Sequence, residues 1–208
     1  MPDTATLVTF SLIVVGLIVV PGPAVILTLA RSMSGGRRVG IATCLGIAVG
    51  DLIHTLFAAV GLSAILMTSA LAFEVVKYLG VGYLVYLGIR ALLDRGGGLD
   101  VPAARRIGAA AAFRQAVLAE MLNPKTALFF LAFLPQFLQP QAGSAVLQLT
   151  VLGVIVVVIG AAYTLLLAFS AGALAGWLAR NPGFGRWQGK LVGCVYLSLG
   201  ARLALEER

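Results

Sequence analysis

The sequence has few of the residues from which soluble domains and catalytic centres are built. Only 11% of its 208 residues are charged, one residue is a histidine and two are cysteines. Such a composition offers neither a disulfide framework nor the histidine and cysteine spacing of a metal site. The sequence also has no phosphate-binding glycine loop and no nucleophile elbow. We therefore predict no metal, no cofactor and no enzymatic activity.

Hydrophobic side chains are abundant instead, at 60% of the residues, and the mean hydropathy is +1.02. These values lie outside the range of soluble domains and predict an integral membrane protein embedded in the lipid bilayer. The net charge of +7 comes from lysines and arginines that we predict to lie in short loops between apolar runs. Because they do not mark one face of a soluble domain, we interpret them as topology determinants and predict no nucleic-acid partner.

Six apolar runs are each long enough to cross a bilayer core of about 30 Å, which needs about 20 residues. They cover residues 5–30, 40–67, 70–93, 113–138, 146–178 and 187–205. We predict an all-α membrane protein with six transmembrane helices, in which 1–93 and 113–208 are two three-helix repeats and 94–112 is a cytoplasmic connector. Lysine and arginine collect after the first, third and fifth runs, so the positive-inside rule places both termini in the periplasm.

The two halves are related by a weak internal repeat. Four residues of the third run recur in the sixth at one constant offset, as Lys77/Lys190, Gly80/Gly193, Tyr83/Tyr196 and Leu84/Leu197. Leu87, Gly88 and Arg90 then match Leu199, Gly200 and Arg202 at an offset one residue shorter. Related halves with an odd number of spans must cross the membrane in opposite senses. The sequence therefore predicts an inverted repeat.

Two tripeptides interrupt the leading run of each half, Pro21-Gly22-Pro23 in the first and Asn123-Pro124-Lys125 in the fourth. Proline lacks the backbone N–H and obstructs the preceding turn, so carbonyl groups at that depth lose their helical partners. In a bilayer, irregular backbone is tolerated only where protein or a water-filled cavity satisfies it. Paired breaks of this kind predict broken helices 1 and 4 around a transport site, with a simple proline kink as the alternative.

Asp51 lies about eleven residues into the second run, near the membrane midplane. An aspartate there costs about 2.5 to 3.5 kcal/mol on insertion scales, so we expect it to bind a proton or the amino group of a substrate. His54 shares its helix face and is either a proton-transfer group or a structural residue. Gly46 and Gly50 form a small-residue strip that lets another helix or a substrate approach closely.

Lys125 is the complementary cation, which can bind a carboxylate or neutralise Asp51, or else extend to the membrane interface. Asn123 can supply donors and an acceptor where the proline frees backbone groups. One acid and one base suit a zwitterion, which favours neutral or hydrophobic amino acids over dibasic ones. Glu120 would weaken that preference if its side chain turned into the same cavity.

The two tripeptides, the stretch from Gly46 to Asp51 and the segment 80–88 resemble the lysine-exporter (LysE/RhtB) family of amino-acid translocators. The resemblance covers the whole chain. It implies export of amino acids or their derivatives across the bacterial inner membrane by proton-coupled antiport, and a homodimer. The alternatives are a cation or metal-ion exporter of related architecture and a membrane-embedded enzyme that uses Asp51, His54, Glu120 and Lys125.

Overall fold

The computed structural model of the chain describes residues 1–19, 21–62, 70–93 and 104–180, together with 190, 193–198, 200, 201, 204 and 205. These residues form helices and turns, with no strand among them, which confirms the all-α prediction. The helices are α1 Thr4–Ile18, α2 Pro23–Phe57, α3 Ala70–Leu93, α4 Ala109–Met121, α5 Pro124–Ala132 and α6 Ala145–Arg180. A π-helical turn covers Ala58–Leu62, and 3-10 turns cover Leu134–Phe137 and Pro140–Ala142. Residues 193–198 are also helical.

Within the described ranges, two helical segments are long and apolar enough to cross a membrane, Pro23–Gly61 and Ala145–Leu174. The pair Ala109–Met121 and Pro124–Phe137 is bent by 50° and counts as a third if it forms one span. Thr4–Ile18 is apolar but shorter. The layout of six spans remains a prediction, because parts of the predicted second and sixth spans and most of the connector lie outside the described residues.

Both predicted helix breaks are present. Helix α1 ends at Ile18, and α2 begins at Pro23 with Gly22 as its N-cap. Helix α4 ends at Met121, and α5 begins at Pro124 with Asn123 as its N-cap. Proline is favoured at a first helical position because that N–H would have no intrahelical partner in any case.

The basic segment that follows the first apolar run differs from our prediction of a loop. It is helical apart from Gly36, whose φ of 75° and ψ of −176° leave the helical region. A Cβ atom added to Gly40 would contact the Ser32 hydroxyl, although eight residues of straight helix span about 12 Å. The chain therefore reverses at Gly36, and α2 consists of two arms. Glycine permits this reversal because it has no Cβ to clash at positive φ.

The first arm of α2 continues the path of α1 along α6. Ile18 lies beside Gly160, Tyr163 bonds to Val19, and Val25 and Leu29 pack against Leu167 and Ala171. Residue numbers in these contacts rise together along α6 and along the path from α1 into the first arm of α2. The start of α1 and the reversal at Gly36 therefore lie toward opposite ends of α6.

Each end of the molecule joins segments that the sequence placed on the same side of the membrane. At one end the buried Arg31 guanidinium donates to the carbonyl of Arg105 at 2.6 Å and to Gln115 Oε1 at 2.5 Å. At the other end the Asp3 N–H donates to Gln139 Oε1 at 3.1 Å, and Gln139 Nε2 donates to Asp3 Oδ2 at 2.5 Å. Which end faces the periplasm remains a prediction from loop charge.

Two contacts between the third and sixth predicted spans are related by the predicted repeat, which stays a prediction. A Cβ atom on Gly88 would lie 2.7 Å from Leu197 Cγ, and a Cβ atom on Gly200 would lie 3.4 Å from Leu84 Cβ. The repeat pairs Leu84 with Leu197 and Gly88 with Gly200. Replacing each residue of the Gly88–Leu197 contact by its equivalent therefore gives the Gly200–Leu84 contact. Helices related by an inverted twofold axis meet in this reciprocal way.

Candidate functional site

The two helix breaks lie on one cavity of about 90 Å³. One water needs about 10 to 15 Å³ of such space, so the cavity has room for several waters or a small organic ligand. Its walls come from α1, both arms of α2, α4, α5 and α6. The polar side chains among them are Asp51, Glu120, Asn123, Lys125, Thr126, Tyr163 and Thr164. Most of the remaining lining is aliphatic or aromatic.

The carbonyl groups freed by the first break receive donors from side chains that line this cavity. In a continuous helix, the carbonyls of Leu17 and Val19 would accept from residues 21 and 23, which are both prolines without an N–H. Lys125 Nζ donates to the Leu17 carbonyl at 3.4 Å, and the Tyr163 hydroxyl donates to the Val19 carbonyl at 3.5 Å. The prediction that this break needs partners is confirmed.

The second break has an equivalent arrangement. Pro124 cannot donate to the carbonyl of Glu120, which instead accepts from the Asn123 N–H at 3.0 Å. His54 Nε2 also lies 3.0 Å from this carbonyl. The Asn123 side chain caps α5 by accepting from the Lys125 N–H at 3.1 Å. His54 therefore supports the break, and it lies outside the cavity lining, stacked on Phe130 with 5.7 Å between ring centroids.

Asp51 and Glu120 form a buried carboxyl pair. Their side chains are 6% and 3% exposed, and their carboxyl groups are within hydrogen-bonding reach of each other. A carboxylate can only accept, so a hydrogen bond between the two groups requires a proton on one of them. Asn123 Nδ2 donates to both Glu120 oxygens at 3.2 and 3.3 Å, and the Thr126 hydroxyl donates to Glu120 Oε1. Glu120 is thus fixed in the cavity that Asp51 lines.

The Lys125 ammonium is held inside the protein rather than at the membrane interface. Besides its bond to Leu17, it lies 5.8 Å from the centre of the Tyr196 ring. A Cβ atom on Gly22 would lie 3.4 Å from Nζ, so Gly22 leaves the space that the ammonium fills. Lys125, Asp51 and Glu120 all line one cavity.

Gly46 and Gly50 lie where α2 contacts α4 rather than on the cavity wall. A Cβ atom on Gly46 would contact the Phe113 carbonyl and would lie 2.7 Å from Ala116 Cβ, and one on Gly50 would lie 2.6 Å from Glu120 Cβ. Both glycines therefore let the second arm of α2 approach α4 closely, and neither lines the cavity. Of the two alternatives offered by the sequence, the structure supports the approach of a helix.

Tyr163, Thr164 and Thr126 are cavity residues that the sequence did not indicate. Tyr163 lies in an uninterrupted apolar run, where nothing distinguishes it from a packing residue. Thr126 lies six residues after Glu120, beyond the helical spacing that predicts a contact, and reaches it only because the helix breaks between them.

Comparison with known proteins gives a family match and relatives that cover most of the chain. Residues 15–207 match the family described as LysE type translocator. An uncharacterized membrane protein of Pseudomonas aeruginosa is 33% identical over 201 residues, covering 94% of this chain and 93% of the relative. A homoserine/homoserine lactone efflux protein of Salmonella typhimurium is 31% identical over 185 residues, covering 88% of each chain. No solved structure matches the chain.

The family match covers most of the chain, including both helix breaks and all of the polar residues that line the cavity. The chain belongs to the LysE type translocator family and is a membrane transporter, not an enzyme.

Proposed function

We propose that this protein exports a small neutral amino acid or a derivative of one, in exchange for protons, through the cavity between its two helix breaks. The name of the Salmonella typhimurium relative supports the substrate class. The observation that carries the proposal is the presence, in one buried cavity, of an ammonium group and a carboxyl pair. A zwitterion needs both kinds of partner when it leaves water.

The carboxylate of the substrate binds the Lys125 ammonium and the Tyr163 hydroxyl. In the structure these two donors are held by the carbonyl groups at the end of α1. A carboxylate is a stronger acceptor than a neutral carbonyl, because charge-assisted hydrogen bonds are about twice as strong. Substrate binding therefore exchanges weaker bonds for stronger ones at the first break.

The amino group of the substrate binds the carboxyl pair. Glu120 does turn into the cavity, which the sequence argument had named as favouring a dibasic substrate. If one proton is shared, however, the pair carries a single negative charge, which Lys125 balances. The site then remains balanced for a zwitterion, and its volume of about 90 Å³ favours a short side chain.

Proton coupling follows from competition at the carboxyl pair. A substrate ammonium group and a second proton neutralise the same charge, so their binding is mutually exclusive. A proton that enters from the periplasm displaces the substrate there, and the substrate displaces that proton at the cytoplasmic side. By loop charge and family resemblance we further propose an inner-membrane location with periplasmic termini, and a homodimer.

Efflux from proteoliposomes loaded with a mixture of all twenty amino acids tests this proposal. We expect a pH gradient to drive release of small neutral amino acids by the natural protein, and Asp51→Asn to abolish it. Glu74→Gln is the matched control, because Glu74 is exposed on α3 and the change is the same acid to amide. Efflux by Asp51→Asn at the natural rate across the neutral pH range would show that Asp51 is structural. Flux of metal ions that is indifferent to amino acids would favour the cation exporter instead.

A further inference from the structure

The two half-helices that follow the breaks leave the cavity toward opposite ends of the molecule. The first arm of α2 runs from Pro23 to Gly36, toward the end where Arg31 binds the Arg105 carbonyl. Helix α5 and its 3-10 extension run from Pro124 to Phe137, toward the end where Gln139 binds Asp3. In the proposed repeat these half-helices are equivalent.

The equivalent faces of the two half-helices differ in chemistry. Aligning Pro23 with Pro124 pairs Thr28 with Phe129 and Ser32 with Phe133. In both cases the residues are four apart, so they lie on one face of their helix. Thr28 and Ser32 are 0% and 7% exposed, and Phe129 and Phe133 are 8% and 4% exposed. One buried face thus carries hydroxyl groups, and the other carries phenyl rings.

A continuous column of aromatic rings runs from the cavity toward the end of the molecule where Gln139 binds Asp3. Its members are Phe129, Phe133, Phe137 and Phe10. Phe129 lines the cavity and stacks on Phe133 at 5.1 Å between ring centroids. Phe133 lies 5.0 Å from Phe137, and Phe10 of α1 packs against Phe137 at 4.9 Å. Phe137 directly precedes the segment in which Gln139 binds Asp3. A zwitterion cannot cross such a column without losing all of its hydrogen bonds, so this route is closed.

The opposite route offers polar groups at the corresponding depth. The Thr28 hydroxyl, beside Cys44, makes no hydrogen bond of ordinary geometry within the described part of the chain. Ser32 and Thr43 donate only to carbonyls of their own helix, those of Thr28 and Val39. An unpaired buried hydroxyl is costly in a folded protein and is available to a polar ligand that passes it.

We propose that Phe129, Phe133, Phe137 and Phe10 are the exit gate of the transporter, closed in this structure, and that the hydroxyl-bearing face of the first arm of α2 lines the entry route. This inference rests on the proposed function, since it treats the cavity as the substrate site. Helix α5, which carries Phe129, is followed by a 3-10 turn at Leu134–Phe137 that contains Pro135. Because this turn follows the end of α5, Phe137 belongs to a segment that can move away from Phe10 without disrupting the hydrogen bonds of α5.

Thiol accessibility tests the gate without a transport measurement. The natural cysteines are replaced by Cys44→Ala and Cys194→Ser, and Val156→Cys places a reporter on the cavity wall. A membrane-impermeant maleimide is then added at the face that carries Ser144. We expect Phe133→Ala to raise the rate of Val156→Cys modification by roughly an order of magnitude, because a buried thiol reacts only when reagent reaches it.

Phe130→Ala is the matched control, because Phe130 is as deeply buried at 1% exposed and stacks on His54, and it touches the column only through an edge contact with Phe129 at 5.9 Å between ring centroids. A Ser144→Cys reporter, on the surface, should react at the same rate in every variant. If Phe133→Ala misfolds, Phe137→Ala replaces it and should give the same increase, while Phe133→Leu, which keeps most of the bulk, should give a smaller one.

The gate proposal would be overturned if the reporter at position 156 were modified at equal rates in Phe133→Ala and the parent protein. An equal increase in Phe130→Ala would also overturn it. Failure of the proposed function has a different signature. If Asp51→Asn exported normally while Phe133→Ala still exposed the reporter, the proposed exit route would be supported and the proposed substrate site would be wrong.

Discussion

Gly46→Ala tests why residue 46 has no side chain. The two explanations are the close approach of α2 to α4 and contact with the substrate. The added Cβ would lie 2.7 Å from Ala116 Cβ and would also contact the Phe113 carbonyl. Carbon atoms pack best at about 3.5 to 4.0 Å, so the two helices must separate by roughly 1 Å. Overpacking of this size costs about 1 to 3 kcal/mol, offset in part by the better helix propensity of alanine, up to about 1 kcal/mol. We expect a net loss of stability.

Thermal denaturation of the purified protein in detergent measures this effect, and Gly16→Ala is its control. A Cβ atom on Gly16 would meet no atom within 4 Å, so the same change in α1 should leave stability unchanged or raise it. If Gly46→Ala melted at the natural temperature but lost efflux, Gly46 would have to contact the substrate and the packing argument would be refuted.

Two further predictions concern the end of the molecule that carries the N-terminus. Gln148, 1% exposed, accepts from the Gln139 N–H at 3.0 Å and donates to the carbonyls of Gln139 at 2.9 Å and Gly143 at 3.1 Å. Gln148→Leu should therefore cost about 1 to 3 kcal/mol of unfolding free energy, whereas Gln141→Leu, at an exposed position, should be neutral in the same denaturation assay. Asp3 caps α1, and hydrogen bonds from Thr6 and Gln139 hold its pKa below the usual value. A lowered pKa means that this stabilisation exists above the usual pKa and disappears as the pH falls through the lowered one. The natural protein should thus melt above Asp3→Ala at neutral pH and equally with it in strong acid; a difference that persists in acid would contradict the role of the ionised group.

The sequence located the two breaks correctly because proline acts through its own backbone. A missing N–H at residues 21, 23 and 124 removes a helical bond in any surrounding structure, so the freed carbonyls could be predicted without knowledge of the fold. The partners of these carbonyls could not, because Lys125, Tyr163 and His54 come from distant parts of the chain. Helical periodicity contains no information about which face of one helix meets another.

The prediction of a basic loop after the first span failed for a related reason. Arginine, glycine and serine between two apolar runs are typical of a loop, but helix continues through most of this segment because a single glycine can reverse the chain. Arg31, interpreted only as a topology determinant, is instead buried and joins two segments of the chain. The charge pattern predicts on which side of the membrane a segment lies. Whether an arginine in that segment is buried depends on which carbonyl groups its guanidinium can reach.

Each break receives at least one side-chain partner from the other half of the chain. Lys125 and Tyr163, after the predicted connector, bind the carbonyls of Leu17 and Val19 before it. His54, before the connector, reaches the carbonyl of Glu120 after it. A bilayer supplies no water to these groups, so neither half can bury its own break alone at low cost. At the first break, the donors that satisfy the freed carbonyls, Lys125 and Tyr163, also line the cavity. In the proposed mechanism, a substrate that takes Lys125 from Leu17 loosens the contact between the halves at the point from which the proposed exit route begins.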